Sequence, residues 1–223
     1  MNMSELTAGF YITCAIFAVS AYLIGGVNAA IVISKLKYGK DIRTLGSGNP
    51  GFTNFKRVFG MSPWAVFVML SDIIKAAIPV CIAMIVFGNL YGVGQFGAAF
   101  TGLFAMLAHC FPVWYGFKGG KAFMTGFGTI WFVDWRMALI AMGVFLILLG
   151  LIKYMSVASC ISSITCPIAL ALLGAESIVV IVISAVSALL VVVRHKENFK
   201  NLAHGTESKF TLKKSPAGSP AGD

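Results

Sequence analysis

Three polar stretches separate the apolar runs of this 223-residue chain, and each combines residue types that bind phosphate or move protons. They read KYGKDIRTLGSGNPGFTNFKR, YGFKGGKAFMTGFG and RHKENFKNLAHGTES in chain order. Glycines free the backbone to wrap an anion, lysines and arginines supply positive charge, and a histidine titrates near neutral pH. Together these residue types suit chemistry on a phosphorylated substrate.

The first stretch contains GSGNPG, which matches the dinucleotide fingerprint G-x-G-x-x-G by its letters. That fingerprint needs a preceding strand and a βαβ unit, whereas apolar helical runs flank this one, so we reject that interpretation. Gly46, Gly48 and Gly51 permit a turn whose N–H groups form an anion-binding nest. The alternative is a well-capped turn beneath a helix. The polar residues that crowd around the turn are Asp41, Arg43, Ser47, Asn49, Thr53, Asn54 and Arg57.

The second stretch places three glycines and two lysines within six residues, immediately before an apolar helix. It is not a Walker A loop, because no Ser or Thr follows the Gly-Lys pair and the spacing differs. A helix N-terminus beside free N–H groups nevertheless favours anions, so we predict a phosphate site here. The alternative is an ordinary positively charged cytoplasmic loop. The residues concerned are Gly116, Lys118, Gly119, Gly120 and Lys121.

In the third stretch, His195 and Asn198 are three residues apart and share a helix face that Leu202 extends. A histidine at a membrane surface can act as acid or base, or can simply be an interfacial side chain.

Within an apolar run, Asp72 and Lys75 are also three residues apart, which favours a structural ion pair. The five cysteines lie in or beside apolar runs, and no ligand cluster predicts a metal or other cofactor.

The elements that must position these residues are membrane helices. Hydrophobic residues make up 58% of the chain and charged residues 11%, and uncharged runs such as 10–33 are long enough to cross a bilayer. We predict an all-α, polytopic bundle of about seven spans, with the short fourth span tilted or re-entrant. Five full crossings plus a re-entrant pair is the alternative. The predicted spans are 10–33, 62–87, 97–113, 122–133, 137–152, 157–174 and 176–193.

The net charge of +9 could indicate nucleic-acid binding, but 15 of the 17 Lys and Arg residues lie in loops on one face or in the tail. That asymmetry is the positive-inside signal, so we predict that these loops and the C-terminus are cytoplasmic. An odd number of spans then puts the N-terminus outside. We predict one membrane domain, 1–207, and a flexible tail, 208–223, that carries a tandem SPAG repeat. The start of the chain lacks a basic signal-peptide region.

The motifs DIRTLGSGNPGFTN, HCFPVWYGFKGGKAFMTGFG and RHKENF…GTE, with the segments SDIIK and KYMSVAS, resemble the PlsY family of bacterial membrane acyltransferases. The resemblance extends from about Ala21 to Glu207. It implies transfer of a fatty acyl group from acyl-phosphate to the 1-position of sn-glycerol 3-phosphate, giving lysophosphatidic acid and phosphate. It also implies a bacterial cell membrane location and a contact with the enzyme that produces acyl-phosphate.

The resemblance assigns functional positions to all three stretches. Arg43, Ser47, His195 and Asn198 are the implied catalytic residues. On chemical grounds, His195 would orient the substrate or take the hydroxyl proton, with a bound phosphate as the alternative base, and Ser47 would donate a hydrogen bond to phosphate. Asn49 and the glycine-lysine loop are implied to bind substrate, and Asn54 and Glu207 to be structural. This chain departs from the family pattern at GGVN, at Phe52 and at Ala122, which stands where a glycine is usual. An alanine there restricts the turn if a positive φ is needed.

Two other functions compete with an acyltransferase. A transporter or channel for an anionic solute would place polar residues on broken helices at the membrane midplane, whereas these motifs lie at one face. A non-catalytic membrane scaffold would have no use for a histidine and an amide beside two anion loops.

Overall fold

The computed structural model describes residues 3–211, which form ten α-helices and two 3-10 turns and contain no strand. The all-helical prediction is therefore confirmed for this part of the chain. The 3-10 turns are Ile42–Thr44 and Val113–Tyr115. The helices are α1 Met3–Gly25, α2 Ala29–Tyr38, α3 Phe52–Phe59, α4 Pro63–Tyr91, α5 Gly94–Cys110, α6 Phe123–Val133, α7 Trp135–Ile152, α8 Met155–Leu173, α9 Ile178–Arg194 and α10 Lys196–Ala203.

Each predicted span contains an apolar helix, but the helices differ in whether they are long enough to cross a membrane. Within residues 3–211, five segments are long and apolar enough, and α9 with α10 makes a sixth candidate that bends by 49° at its junction. Helix α6 has 11 residues and reaches only about 16 Å, roughly half the hydrocarbon thickness. A multi-pass membrane bundle is therefore established, while seven crossings and the orientation of the termini stay predictions.

The predicted span 10–33 lies within the candidate membrane segment Thr7–Tyr38, but its helix is interrupted, because α1 ends at Gly25 and α2 begins at Ala29. Asn28 caps α2: its Oδ1 accepts from the N–H of Ile31 at 3.0 Å. The same side chain donates from Nδ2 to the carbonyl of Pro50 at 2.9 Å. The break in the first span thus ties this membrane segment to the GSGNPG turn.

Helix α5 lies at the centre of the bundle and contacts α1, α4, α6 and α9. Its buried face consists largely of small residues, including Ala98, Ala99, Ala105 and Ala108, which let neighbouring backbones approach closely. Large aliphatic side chains such as Leu151 and Leu172 are exposed on the outside of the bundle. This is the arrangement expected where hydrocarbon replaces water around the protein.

The predicted pairing of Asp72 with Lys75 is confirmed, with 2.9 Å between Asp72 Oδ1 and Lys75 Nζ. His109 on α5 joins this pair, since its Nδ1 lies 2.9 Å from Lys75 Nζ. All three side chains are buried between α4 and α5.

The end of the described chain returns to the bundle. The predicted flexible tail, 208–223, lies outside the described residues from 212 onward, while residues 208–211 contact the body. The N–H of Phe210 donates to the carbonyl of Lys153 at 2.7 Å. Lys56 on α3 donates to the carbonyl of Thr211 and lies over the Phe210 ring, 4.2 Å from its centroid.

Candidate active site

A cavity of about 360 Å³ lies where the three polar stretches meet. Its walls come from the GSGNPG turn and α3, from Asp72 of α4 and His109 of α5, from the starts of α6 and α8, and from the α9–α10 junction with residues 207–211. The charged or hydrogen-bonding side chains in its wall are Ser47, Asn49, Thr53, Asn54, Lys56, Arg57, Asp72, His109, Lys121, Ser156, Ser159, His195, Asn198, Glu207, Ser208, Lys209 and Thr211.

Asn54 holds the GSGNPG turn in shape from inside. Its Oδ1 accepts from the N–H of Ser47 at 2.9 Å, and its Nδ2 donates to the carbonyl of Leu45 at 2.9 Å. Gly46 has a φ of +57°, and a Cβ there would overlap Asn54 Oδ1, so only glycine fits. The turn presents Ser47 and Asn49 to the cavity.

The two arginines of the first stretch have different positions. Arg43 does not line the cavity, because its guanidinium binds both carboxylate oxygens of Asp41 and donates to the carbonyl of Tyr115 at 3.2 Å. Its proximity holds the pKa of Asp41 well below the usual range. Arg57 on α3 does line the cavity and donates to Ser208 Oγ at 2.7 Å. Arg43 thus braces the first loop against the second, while Arg57 is the arginine available to a ligand.

The five residues predicted in the second stretch are not all brought to the cavity. Lys121 lines it, whereas Lys118 is exposed and Gly116, Gly119 and Gly120 lie outside its wall. The N–H groups of residues 116–120 all bond to carbonyls of residues 109–115, for example from Gly120 to His109 at 2.9 Å. The expectation that free N–H groups of this loop hold an anion is therefore not met by residues 116–120.

Close packing explains the adjacent glycines. A Cβ at Gly119 would overlap the carbonyl of His109, and a Cβ at Gly120 would overlap the His109 imidazole. Arg194 then clamps the loop from α9, donating to the carbonyl of Gly120 at 3.0 Å and to that of Gly119 at 2.9 Å. The loop is thus a tightly seated turn that delivers Lys121.

Lys121 and the first turn of α6 form the cationic side of the cavity. Phe123 and Met124 line it, and the N–H groups of a first helical turn have no partner within their own helix. Burial lowers the pKa of Lys121 to about 8, and its ammonium donates to Oδ1 of Asn198. Ala122, between Lys121 and the start of α6, has a φ of +59°, the left-handed conformation that glycine adopts more easily.

His195 at the end of α9 is only 5% exposed and lines the cavity. Its Nδ1 lies 2.8 Å from the carbonyl of Val191, which can only accept, so Nδ1 carries a hydrogen. Burial lowers the pKa of His195 to about 4, so the ring is neutral at pH 7 and Nε2 keeps a free lone pair. This is the protonation state of a general base.

Asn198 and Glu207 connect the third stretch to α8. Asn198 Nδ2 donates to Glu207 Oε1 at 2.8 Å, and the same oxygen accepts from Ser156 Oγ at 3.0 Å. Asn198 therefore lies in a continuous chain from Ser156 to Lys121. Sequence reasoning predicted Asn198 and Glu207 but missed Ser156, Arg194 and the contribution of 208–211. For Ser156, its place in the KYMSVAS segment was the available signal.

The charge of the cavity wall suits a polyanionic ligand. Lys56, Arg57, Lys121 and Lys209 contribute four positive charges, against Asp72 and Glu207. The described residues contain no group of three His, Cys, Asp or Glu side chains that could hold a metal ion. The arrangement can bind phosphate groups at cations and helix N–H groups while a neutral imidazole accepts a proton.

Comparison with known proteins identifies relatives that have this sequence pattern along most of their length. The family model described as glycerol-3-phosphate acyltransferase matches residues 15–205. A glycerol-3-phosphate acyltransferase of Shewanella woodyi is 34% identical over 216 residues, covering 97% of this chain and 99% of the relative. One from Coxiella burnetii is 38% identical over 192 residues, covering 86% and 95%.

Two solved structures share the fold. Both are crystal structures of PlsY (YgiH), an integral membrane glycerol 3-phosphate acyltransferase, and both cover 89% of this chain and 96% of their own. The glycerol 3-phosphate form has a TM-score of 0.80 at 34% identity, and the lysophosphatidic acid form has 0.77 at 32%. By family match, identity and structure, this chain belongs to the glycerol-3-phosphate acyltransferase family of integral membrane enzymes.

Proposed function

We propose that this protein transfers a fatty acyl group from acyl-phosphate to the 1-hydroxyl of sn-glycerol 3-phosphate, releasing lysophosphatidic acid and phosphate. The observation that carries the proposal is the convergence of Lys121, Arg57 and a neutral, cavity-facing His195 on one cavity. Both substrates carry phosphate, and the cavity wall carries four cations, Lys56, Arg57, Lys121 and Lys209. The glycerol 3-phosphate and lysophosphatidic acid forms of PlsY match the acceptor and product of this reaction.

The acceptor phosphate would bind between Lys121 and the first turn of α6. There a buried ammonium and unpaired N–H groups stabilise a dianion strongly, because little water competes with them. The phosphate of the donor would bind to Arg57, Lys56 and the hydroxyl of Ser47, which line the same cavity. Asn49 lies in the same turn and contributes to this second site.

The reaction then needs only proton transfer and stabilisation of charge. His195 Nε2 accepts the proton of the 1-hydroxyl as that oxygen attacks the acyl carbonyl carbon. The new ester C–O bond forms and the C–O bond to phosphate breaks, with the electron pair leaving on phosphate. Arg57 and Lys56 stabilise that leaving charge, which is commonly the largest single contribution to catalysis. A bound phosphate as the base is the alternative.

The remaining predicted residues act on position. Arg43 and the glycines at 116, 119 and 120 shape the loops that carry Ser47 and Lys121, and exposed Lys118 attracts anions toward the surface. Asn54 and Glu207 hold their neighbours by hydrogen bonds. Direct transfer is favoured over an acyl-enzyme, because no described hydrogen bond pairs a serine of the cavity wall with a histidine. Ser208 Oγ accepts from the Arg57 guanidinium, which cannot act as a base, and Ser156 Oγ donates to a Glu207 oxygen that Asn198 also holds.

The acyl chain would enter the bundle next to this cavity. An apolar cleft of about 60 Å³ between α5, α6, α8 and α9 shares Phe123 with the cavity wall. Its lining includes Met106, Ile130, Ile183 and Ala188. A donor whose phosphate lies at Arg57 can pass its first carbons along Phe123 into this cleft.

A turnover assay tests the function. Purified protein in detergent receives labelled glycerol 3-phosphate with either acyl-phosphate or acyl-CoA, and lysophosphatidic acid is measured. We expect lysophosphatidic acid when the donor is acyl-phosphate but not when it is acyl-CoA, and little product from the Arg57→Ala variant with either donor. Product with acyl-CoA alone would refute the donor, and uptake of labelled glycerol 3-phosphate into proteoliposomes without product would favour transport.

We also propose that the site faces the cytoplasm of a bacterial cell, with the N-terminus outside and the C-terminus inside. The enzyme that produces acyl-phosphate would then deliver it from the same side. The Lys and Arg asymmetry supports this orientation. In a cysteine-free background, Lys118→Cys in intact cells should resist an impermeant thiol reagent, while Arg136→Cys on the opposite side should react. The reverse pattern would overturn the topology.

A further inference from the structure

Three ionisable side chains are buried at the cavity, where Asp72 and His109 form part of the wall, and the reaction proposed above leaves them without a role. Lys75 Nζ is 2.9 Å from Asp72 Oδ1 and 2.9 Å from His109 Nδ1, and His109 Nδ1 is 3.4 Å from Asp72 Oδ1. Asp72 and Lys75 come from α4 and His109 from α5. We call these three residues the buried cluster.

On one side the buried cluster reaches the first glycine-rich turn. Lys75 Nζ donates to the carbonyl of Val27 at 2.9 Å, in the break between α1 and α2. The next residue, Asn28, donates to the carbonyl of Pro50 at 2.9 Å, inside GSGNPG. Two successive hydrogen bonds therefore connect the ammonium of Lys75 to the turn that carries Ser47.

On its other side the buried cluster supports the second loop. The carbonyl of His109 accepts from the N–H of Gly120 at 2.9 Å, and its imidazole packs so closely on Gly120 that no side chain fits there. Lys121 is the next residue. The ring of His109 is held by Lys75, so the same ammonium fixes both the support of Lys121 and the anchor of the Ser47 turn.

We propose that the buried cluster is a positioning element that sets the separation between the Ser47 turn and Lys121, and with it the fit of the glycerol 3-phosphate acceptor. Buried ion pairs contribute little net stability compared with apolar packing, but they impose directional contacts that apolar side chains do not. A cluster in contact with both loops is suited to that task. The role in substrate fit rests on the proposed function, whereas the coupling of the two loops does not.

Two variants separate positioning from stability. Lys75→Met breaks the contacts to Val27 and His109 and leaves the buried Asp72 carboxylate without its ammonium partner, so it should also lower the melting temperature. The double variant Asp72→Asn with Lys75→Met removes both charges and should recover most of that loss. Arg136→Met is the matched control. It breaks the Asp134–Arg136 ion pair, 2.7 Å long, which contacts neither loop.

Hydrogen exchange measured by mass spectrometry tests, in the absence of substrate, whether the buried cluster couples the two loops. In the double variant, peptides covering 46–55 and 113–124 should both exchange at least several-fold faster than in the parent, and peptides around 134–136 should not. In Arg136→Met the two loops should keep parental protection. If the double variant recovers its stability and either loop still exchanges at the parental rate, the inference is overturned.

Binding of labelled glycerol 3-phosphate reads the consequence for the acceptor. We expect the double variant to raise the Kd for glycerol 3-phosphate about tenfold, the size of one coupling step of 1.4 kcal/mol. The KM for the acyl donor should rise too, because the loosened Ser47 turn contributes to the proposed donor site. A double variant that recovers both melting temperature and parental affinity would assign the cluster a structural role only. A parent that does not use acyl-phosphate refutes the proposed donor and leaves the exchange result standing.

Discussion

Asn198 donates a hydrogen bond to Glu207 from Nδ2 to Oε1 at 2.8 Å, while its Oδ1 accepts from the ammonium of Lys121. The amide has one orientation here, because only its NH₂ group can donate to a carboxylate and only its oxygen can accept from an ammonium. Ser156 holds the same carboxylate oxygen at 3.0 Å. Asn198 therefore transmits the position of Glu207 to the cation that we assign to the acceptor phosphate.

We predict that Asn198→Ala lowers turnover by about 10² or more, the usual scale for a group acting on proton transfer or charge in the transition state. The matched control is Asn201→Ala on the same helix, α10, whose side chain is exposed and lies outside the cavity wall. The control should keep near-parental kcat, and both variants should purify as the parent does. Equal losses in the two variants would show that α10 as a whole, rather than this amide, is sensitive.

His195→Ala should also lower kcat by about 10² or more, because it removes the only cavity-facing imidazole lone pair that the structure describes outside the buried cluster. His204→Ala is a close control: its Nδ1 also bonds to a carbonyl four residues earlier, that of Lys200 at 2.9 Å, but the ring is exposed. Steady-state assays at pH 7 compare the two. A His195→Ala enzyme with near-parental activity would favour a bound phosphate as the base.

The lowered pKa of Lys121, about 8, predicts a pH dependence of acceptor binding. A bound phosphate dianion favours the charged ammonium, so above pH 8 binding must take up a proton. The KM for glycerol 3-phosphate should therefore rise above pH 8, by up to about tenfold per pH unit. Below pH 8 it should stay flat down to about pH 7, because the phosphate itself titrates near pH 6.

Lys121→Arg should flatten that rise, whatever its effect on kcat, because a guanidinium stays charged throughout this range. Lys118→Arg is the control, since Lys118 is exposed and should leave the parental profile intact. Profiles of KM between pH 7 and 10 for parent and both variants make the comparison. A parental rise that persists in Lys121→Arg would assign the titration to another group.

The sequence predicted the helices well because hydropathy is a local property. The predicted segment 122–133 became Phe123–Val133, and 137–152 became Trp135–Ile152. The interruption of the first span at Asn28 was not predicted. A single asparagine within an apolar run does not indicate that its side chain caps a new helix by accepting from the N–H of Ile31. The Asp72–Lys75 pair was predictable from spacing alone, whereas His109 comes from another helix.

Which side chains line the site depends on contacts between residues far apart in the chain, and these contacts could not be predicted from a single sequence. Arg43 and Arg57 have the same chemistry in one loop, but Asp41 captures Arg43 while α3 turns Arg57 into the cavity. The Asp-x-Arg spacing was a usable signal for that capture. The contact between Arg57 and Ser208 joins residues 151 positions apart, and no local pattern indicates it.

Ala122 provides a stability prediction from its φ of +59°. Ala122→Gly relieves about 1–2 kcal/mol of left-handed strain, against about 0.8 kcal/mol for one buried methyl and about 0.4–1 kcal/mol of added unfolded-state entropy. These terms nearly cancel, so the free energy of unfolding should change by less than about 1 kcal/mol. Ala83→Gly, at a buried site inside α4, has no strain to relieve and should lose about 2 kcal/mol. Equal losses in thermal or denaturant unfolding would contradict the role of the positive φ.

Acyl-chain preference should depend on the apolar cleft beside Phe123. Ala188 on α9 lines this cleft and is 6% exposed, whereas Val186 on the same helix is 46% exposed on the outer surface of the bundle. The series Ala188→Val, Ala188→Leu and Ala188→Phe fills the cleft step by step. Ala188 lies about two turns from the cavity end of α9, so carbons beyond those that pass Phe123 would occupy the space beside it. Since a longer chain loses that space, the ratio of kcat/KM for long over short acyl-phosphates should fall along the series, with an unchanged KM for glycerol 3-phosphate. Val186→Phe adds the same ring outside the cleft and should leave the ratio as in the parent. If the ratio stays constant along the Ala188 series, or changes equally in Val186→Phe, the acyl chain does not bind in this cleft. Filling the cleft affects the ratio only if the chain occupies it.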